Sequence, residues 1–387
     1  MFGKKVKLFS LFGFRVSIDL SWIIIAVLVT WSLAEGVFPQ YLEGLSSGTY
    51  WWMGVVGAAG LFASIVVHEL FHSLVARRFG LPMKGITLFL FGGVAEMDDE
   101  PPSAKSEFYM SIAGPITSIV VGLIFLTVYW VGNTGGWSKP AIGIVFYLGA
   151  INLILAGFNL VPAFPLDGGR VLRSALWYWK GSLRWATRVA SQIGAGFGIV
   201  LIILGVVYFI RGNLLGGVWW ALIGLFIRRA SQMSYQRVLI RKALEGETVA
   251  RFMKEDPVTV PPDISVNELV EDYVYKHHFK MYPVTKDGGL MGCITTREIK
   301  NVPREKWKET KVSDVAQDCS PENSISPETD ATKALSLMGK SGQSRLMVTE
   351  GGHLVGLITL KDLLRFLTVK MDLSGEDIEQ RLGRMKR

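Results

Sequence analysis

The sequence predicts a polytopic α-helical membrane domain followed by a soluble α/β domain. Three observations carry that prediction. Half of the 387 residues are apolar and only 19% are charged, below the quarter usual in soluble proteins. Most of the apolar excess precedes Arg229. Beyond it, short strand and helix signals alternate and then repeat. The expected boundaries are a six-helix membrane domain over residues 1–230, a linker over 231–248, an α/β pair over 249–370 and a charged tail over 371–387.

A hydrocarbon core of about 30 Å needs roughly 20 apolar residues per helix. Six stretches qualify: about Val16 to Ala34, Trp51 to Ala76, Glu107 to Val131, Ala141 to Leu160, Val189 to Ile210 and the shorter Leu214 to Ile227. Lys4, Lys5, Lys7 and Arg15 before the first stretch mimic a signal peptide. No small-residue cleavage site follows, so the stretch is expected to be a retained helix. Lysines and arginines in alternate loops then set the orientation. Fifteen fall on one side (Lys4, Arg77, Arg170, Arg173 and Arg228 among them) and two, Lys139 and Arg211, on the other. Both termini are therefore expected in the cytosol.

The net charge of +8 does not indicate nucleic acid, because no basic stripe is interleaved with aromatic residues. The two cysteines, Cys293 and Cys319, have neither metal-ligand spacing nor the number a disulfide framework needs.

Residues 85–97, GITLFLFGGVAEM, are apolar but too short to span. A hairpin re-entering the membrane and an interfacial loop both fit, the hairpin only where its backbone is paired or buried in protein. Ala113-Gly114-Pro115 interrupts the third stretch and reads as a packing face with a kink. The fourth carries Asn152 and ends in NLVPAFPLDGGR, Asn159 to Arg170. Pro162 and Pro165 forbid regular helix there, and Gly168-Gly169 permits tight turns. Asp167 is thus expected on an irregular chain at the cytosolic end of its segment.

Chemistry concentrates in Val66 to Gly80, VVHELFHSLVARRFG. His68 and His72, four apart on a helix, project from one face, which suits two ligands of one tetrahedral zinc. Glu69 between them is the candidate general base. Ionisable groups inside a membrane segment mark function. A helical rise of 1.5 Å puts His72 only about 8 Å from Arg77, within reach of cytosolic water. The other three histidines, His277, His278 and His353, lie in the soluble half, so a third ligand near the membrane should be a carboxylate. Glu96, Asp98 and Asp99 compete with Asp167, and position favours Asp167. Asn159 is a candidate oxyanion donor or a helix C-cap.

In the soluble half, Tyr282 to Glu298 (YPVTKDGGLMGCITTRE) aligns with Leu346 to Asp362 (LMVTEGGHLVGLITLKD) at an offset of 64 residues. Each unit offers a strand, a Gly turn, an apolar strand ending in Thr and a helix start, and two such units would bury each other's sheets.

HELFH at 68–72, LFLFGGVAEM at 88–97, AGP at 113–115 and NLVPAFPLDGG at 159–169 together resemble the site-2 protease family of intramembrane zinc metalloproteases, over about residues 1–230. The resemblance implies one zinc per chain on His68, His72 and Asp167, with Glu69 as base. It also implies that Asn159 helps position substrate, and that the edge formed by Phe91, Gly92, Gly93 and Val94 pairs with an unwound substrate strand. The 64-residue repeat resembles a tandem CBS-domain pair, residues 249–305 and 312–370, a module that often binds adenosine nucleotides such as ATP or AMP. The matching residues are Gly356, Thr359 and Asp362, with Gly292, Thr295 and Glu298 in the first copy, where Glu replaces Asp. N-capping of a helix would also explain Thr359 and Asp362.

The function these resemblances imply is an endopeptidase that cuts transmembrane segments of single-pass and other membrane proteins in a prokaryotic cell membrane. Nucleotide regulation and a homo-oligomer through the CBS pair go with it. The alternative is a CBS-gated ion channel or transporter.

Overall fold

The computed structural model of the chain describes residues 5–81, 83–89, 92–97 and 100–373. Lys4, Phe91, Asp98, Asp99 and the tail beyond residue 373 lie outside the described residues. The chain forms two compact units, Met1–Val238 and Leu239–Arg387.

The first unit opens on a β-hairpin, β1 (Lys5–Leu11) and β2 (Phe14–Asp19), where a helix was expected from Val16. Its turn residues Phe12 and Gly13 both have positive φ, 48° and 85°, the conformation that joins twisted antiparallel strands most tightly. The first helix therefore starts at Ser21. α1 (Ser21–Ser32) continues through a π-helical turn into α2 (Phe38–Tyr41). α3 (Ser47–Arg78) is capped by the Ser46 side chain and ends on Arg77 and Arg78, whose charges suit the negative end of the helix dipole.

Next come β3 (Met83–Phe89) and β4 (Gly92–Met97), antiparallel to each other. β2 pairs with β3 in parallel, giving a four-stranded sheet of order β1-β2-β3-β4. The hairpin at 85–97 is thus backed by the N-terminal strands, which satisfy its inner backbone edge and leave β4 outermost. Four helices follow: α4 (Ala104–Thr134), α5 (Lys139–Asn159), α6 (Asp167–Lys180) and α7 (Leu183–Ile210). The last, α8 (Leu214–Leu244), takes in the sixth apolar stretch and continues through 231–244, where a linker was expected.

Among the described residues, five helical stretches are long and apolar enough to cross a membrane: Ser21–Tyr41, Ser47–Arg78, Ala104–Thr134, Lys139–Asn159 and Leu183–Ile210. Small residues allow close helix approach. A Cβ on Gly198 would lie 2.6 Å from the Gly224 carbonyl, and one on Gly205 2.6 Å from the Ala221 nitrogen, so α7 and α8 meet backbone to backbone.

α3 is sandwiched. Val66 and Leu70 on one face pack with Val16, Leu88, Phe14 and Ile86 of the sheet. His68 and His72, two residues further along and so nearly opposite on a helix, face α4.

In the second unit, β5 (Met281–Lys286) pairs with β6 (Gly289–Thr295), and β9 (Arg345–Glu350) with β10 (His353–Thr359), both antiparallel. β6 meets β10 in one sheet, with β7 (Gln317–Asp318) on β6 and β8 (Ser324–Ile325) on β9. Two apolar cores result, and each takes in the opening segment of the other half. Val249 and Phe252 pack with Leu346, Ile358 and Leu363, whereas Val312 packs with Tyr282, Val284 and Ile294. Neither half closes its core alone.

Candidate metal centre

His68 and His72 are 4% and 8% exposed. Their Nε2 atoms lie 3.1 Å apart, and each is 3.0 Å from Oδ2 of Asp167, whose side chain is 12% exposed. Among the described residues this is the group of three His, Cys, Asp or Glu side chains that converge closely enough for a metal ion.

The outer ring nitrogens are held by α4. His72 Nδ1 is 2.5 Å from the Met110 carbonyl, and His68 Nδ1 is 2.8 Å from Ser118 Oγ. A carbonyl only accepts, so Nδ1 of His72 carries a proton, and in the neutral ring this leaves Nε2 as the nitrogen with a lone pair to offer a metal. This is the arrangement metal-binding histidines use, the far nitrogen fixed by a carbonyl or hydroxyl. Two ligands at 2.0–2.1 Å from a tetrahedral zinc stand about 3.3 Å apart. The observed triangle is close to one face of such a tetrahedron, leaving one position for water.

Gly114 makes the space. A Cβ there would sit 2.2 Å from His72 Nε2 and 2.5 Å from His68 Nε2. Any side chain at this position would fill the place toward which the donors point, so the residue types and the room both fit zinc. Gly114 of the Ala113-Gly114-Pro115 motif, read from its residue types as a packing face with a kink, thus belongs to the site. The family resemblance singled the motif out, but residue types alone could not assign this role, because it depends on which face of α4 meets α3.

Asp167 is the first residue of α6, not part of an irregular chain. The irregular stretch is shorter, residues 160–166, and folds back on the helix start. A Cβ on Gly168 would lie 2.2 Å from the Leu160 carbonyl, and one on Gly169 2.2 Å from the Phe164 nitrogen. The two glycines let the loop pass against the first turn of α6, where the helix dipole favours a carboxylate.

Glu69 is half-buried on α3. β4 lies directly against it: a Cβ on Gly93 would be 2.7 Å from Glu69 Cγ and 3.1 Å from Ile65. The outer strand therefore passes beside the carboxylate. Gly93 pairs with Leu88 and Val94 with Thr87, while Gly92 pairs with Phe89 at the hairpin end. Asn159 ends α5 and donates Nδ2 to the Leu155 carbonyl at 3.0 Å, a bond within its own helix. Asn152 is buried and donates to Ser64 Oγ and to the Leu148 carbonyl.

Arg173 differs from its sequence reading. Counted as a loop charge, it is 2% exposed on α6, paired with Glu107 of α4.

In the second unit Thr359 Oγ1 donates to Asp362 Oδ2 at 2.5 Å and accepts from the Asp362 amide at 3.2 Å. Thr295 and Glu298 form a capping box, and Glu298 also accepts from Gln317. Both pairs cap helices.

Comparison with known proteins gives the following. The profile of Peptidase family M50 matches residues 56–136 and 136–205, and that of the CBS domain matches 249–305 and 312–369. Rip3 of Mycobacterium tuberculosis is 36% identical over 361 residues, covering 92% of this chain and 91% of its own. The zinc metalloprotease MJ0392 of Methanocaldococcus jannaschii is 31% identical over 366 residues, 94% and 96% of the two chains. Of solved structures, the site-2 protease from Methanocaldococcus jannaschii is 28% identical, covering 59% of this chain and 94% of its own with a TM-score of 0.42.

Proposed function

Because the chain belongs to peptidase family M50, the site-2 zinc metalloproteases, and carries two CBS domains, we propose that it hydrolyses peptide bonds within transmembrane segments of other membrane proteins. The observation that carries this reading is the convergence of two Nε2 atoms and one carboxylate oxygen beside Glu69 and the outer strand β4. The expectation of a CBS-gated channel gives way to the family.

In this reading His68, His72 and Asp167 hold one zinc ion. Zinc supplies Lewis acidity, lowering the pKa of water and polarising the scissile carbonyl. Glu69 takes a proton from the attacking water and returns it to the leaving amine, so the carboxylate is restored after each turnover. Asn159 keeps one N–H beyond the bond to Leu155, and with it orients the substrate carbonyl. A transmembrane helix hides its amides in its own hydrogen bonds, so a substrate must unwind first. The edge at Phe91, Gly92, Gly93 and Val94 receives the unwound strand by β-addition.

The sixth span is the Leu214–Ile227 part of α8. With Arg173 removed from the loop count, fourteen basic residues against two support the reading that both termini lie in the cytosol, in the cell membrane of a prokaryote. Adenosine nucleotide binds the CBS pair at Thr359 and Asp362, with Thr295 and Glu298 in the first copy, and regulates cleavage. A homo-oligomer forms through the same pair.

Glu69→Gln tests the catalytic assignment. The variant keeps its zinc, and cleavage falls by about 10²–10⁴-fold, the usual contribution of a positioned base. Undiminished cleavage by a zinc-loaded variant removes the role given to Glu69.

A further inference from the structure

α4 orients both histidines of the triad. Its Met110 carbonyl holds His72, its Gly114 leaves room between the rings, and its Ser118 hydroxyl holds His68. One turn before Met110, on the same stripe of α4, Glu107 pairs with Arg173 on the helix that begins with Asp167. Arg173 Nε donates to Glu107 Oε1 at 2.7 Å, and Nη2 closes on the same oxygen. Nη2 also donates to Glu100 at 3.1 Å, Nη1 is 3.5 Å from Thr187 Oγ1, and the guanidinium lies 5.0 Å from the centre of the Phe164 ring.

Glu107 is fully buried and Arg173 is 2% exposed. Burying such a pair brings little stability over an apolar pair of equal volume, because desolvation offsets the attraction. Its gain is geometric, since Nε and Nη2 converge on one oxygen of Glu107 while Nη2 also holds Glu100, and a planar guanidinium can make those contacts in few orientations. Asp167 sits at the first position of the helix with no side-chain cap before it, so the pair adds its restraint to that of the loop packed on Gly168 and Gly169. Arg173 also stacks on Phe164, three residues before Asp167, so one side chain restrains the helix and the loop that leads into it.

We propose that Arg173 and Glu107 are positioning residues for the metal. They fix α6 against α4, so that Asp167 Oδ2 meets the two imidazoles that α4 already orients. Neither residue touches the reacting atoms. The proposal rests on the zinc reading of His68, His72 and Asp167.

The test measures zinc affinity of the full-length protein in detergent by chelator competition. Folding is checked by circular dichroism and thermal unfolding. Two variants are compared with the wild type: Arg173→Lys keeps the charge and loses the fork, and Glu107→Leu with Arg173→Met replaces the pair by apolar side chains. Loss of a group that bonds a metal ligand directly typically weakens metal binding about 10–100-fold; acting through the helix, loss of the pair is expected to weaken it about tenfold in both variants with the fold retained. Cobalt loaded in place of zinc should show an altered d–d spectrum. Wild-type affinity and an unaltered spectrum in either folded variant overturn the proposal, leaving the pair a packing contact. A wild-type protein that binds no zinc overturns the metal reading itself, and the proposal with it.

Discussion

Gly114 has little tolerance for a side chain of any kind. Its missing Cβ is the room between two imidazole nitrogens, so Gly114→Ala should fold and lose zinc, with affinity falling at least about tenfold, read by metal analysis of the purified chain. Retention of one zinc per chain would show that the donors converge elsewhere. The residue scale also divides what was legible in the sequence from what was not. His68, Glu69 and His72 could be read because helical spacing alone places two rings on one face. Asp167 could be found by its position between prolines and glycines, but not its place as the first residue of α6, which requires the chain at 160–166 to fold back over it. Arg173 was misread because counting basic residues treats every arginine as a loop charge. Only the approach of α4 to α6 reveals its partner.

At the scale of elements, the N-terminal hairpin shows how a strong local signal is overridden by a neighbouring one. Val6 and Leu8, then Phe14, Val16 and Ile18, alternate with polar residues at the strand period. The long apolar run after Ser21 draws the eye to a helix instead. The consequence is structural support for β4, because β2 pairs with β3 and fixes the hairpin on α3. Gly93→Val would place a branched side chain where a Cβ already meets Glu69. Cleavage should fall at least tenfold while zinc content stays at one per chain, assayed side by side; an active variant would separate β4 from substrate handling.

Within the second unit, the helix Leu360–Leu373 is held through Lys370, whose ammonium bonds Glu247 at 2.8 Å and the Ala243 carbonyl at 2.9 Å. That bond, with Arg251 beside it, keeps the Glu247 carboxyl below its usual range despite some desolvation. A depressed carboxylate stabilises above its unfolded pKa, and the contribution fades as pH falls through the folded value. Glu247→Gln should therefore speed hydrogen exchange in this helix at pH 7, and the difference from wild type should shrink as pH falls below the ordinary carboxylate range. A difference independent of pH would assign the effect to packing.

For the whole molecule, a protease unit and a CBS pair share one chain, and the sequence showed this through two different kinds of signal. The membrane half declared itself by composition, and the soluble half by its 64-residue repeat. The exchange of opening segments between the two CBS cores was not legible, since the repeat aligns only β5 and β6 with β9 and β10. Nucleotide binding belongs to this scale. ATP or AMP in molar excess should raise the unfolding temperature of the second unit, by about 2.7 kcal/mol of stability at a hundred times the dissociation constant, and Thr359→Ala with Asp362→Ala should abolish the shift. No shift with any adenosine nucleotide would remove nucleotide regulation and leave Thr359 and Asp362 as a helix cap.

The central claim is that Glu69, beside a zinc held by His68, His72 and Asp167, cuts transmembrane segments. Its most direct test is quantitative proteomics of membrane fragments in cells that carry either the wild-type chain or Glu69→Gln as their only copy. The account predicts that one or more membrane-retained fragments accumulate with Glu69→Gln and are cleared by the wild type. If no transmembrane fragment differs between the two strains while the Glu69→Gln protein is present and zinc-loaded, the claim is contradicted.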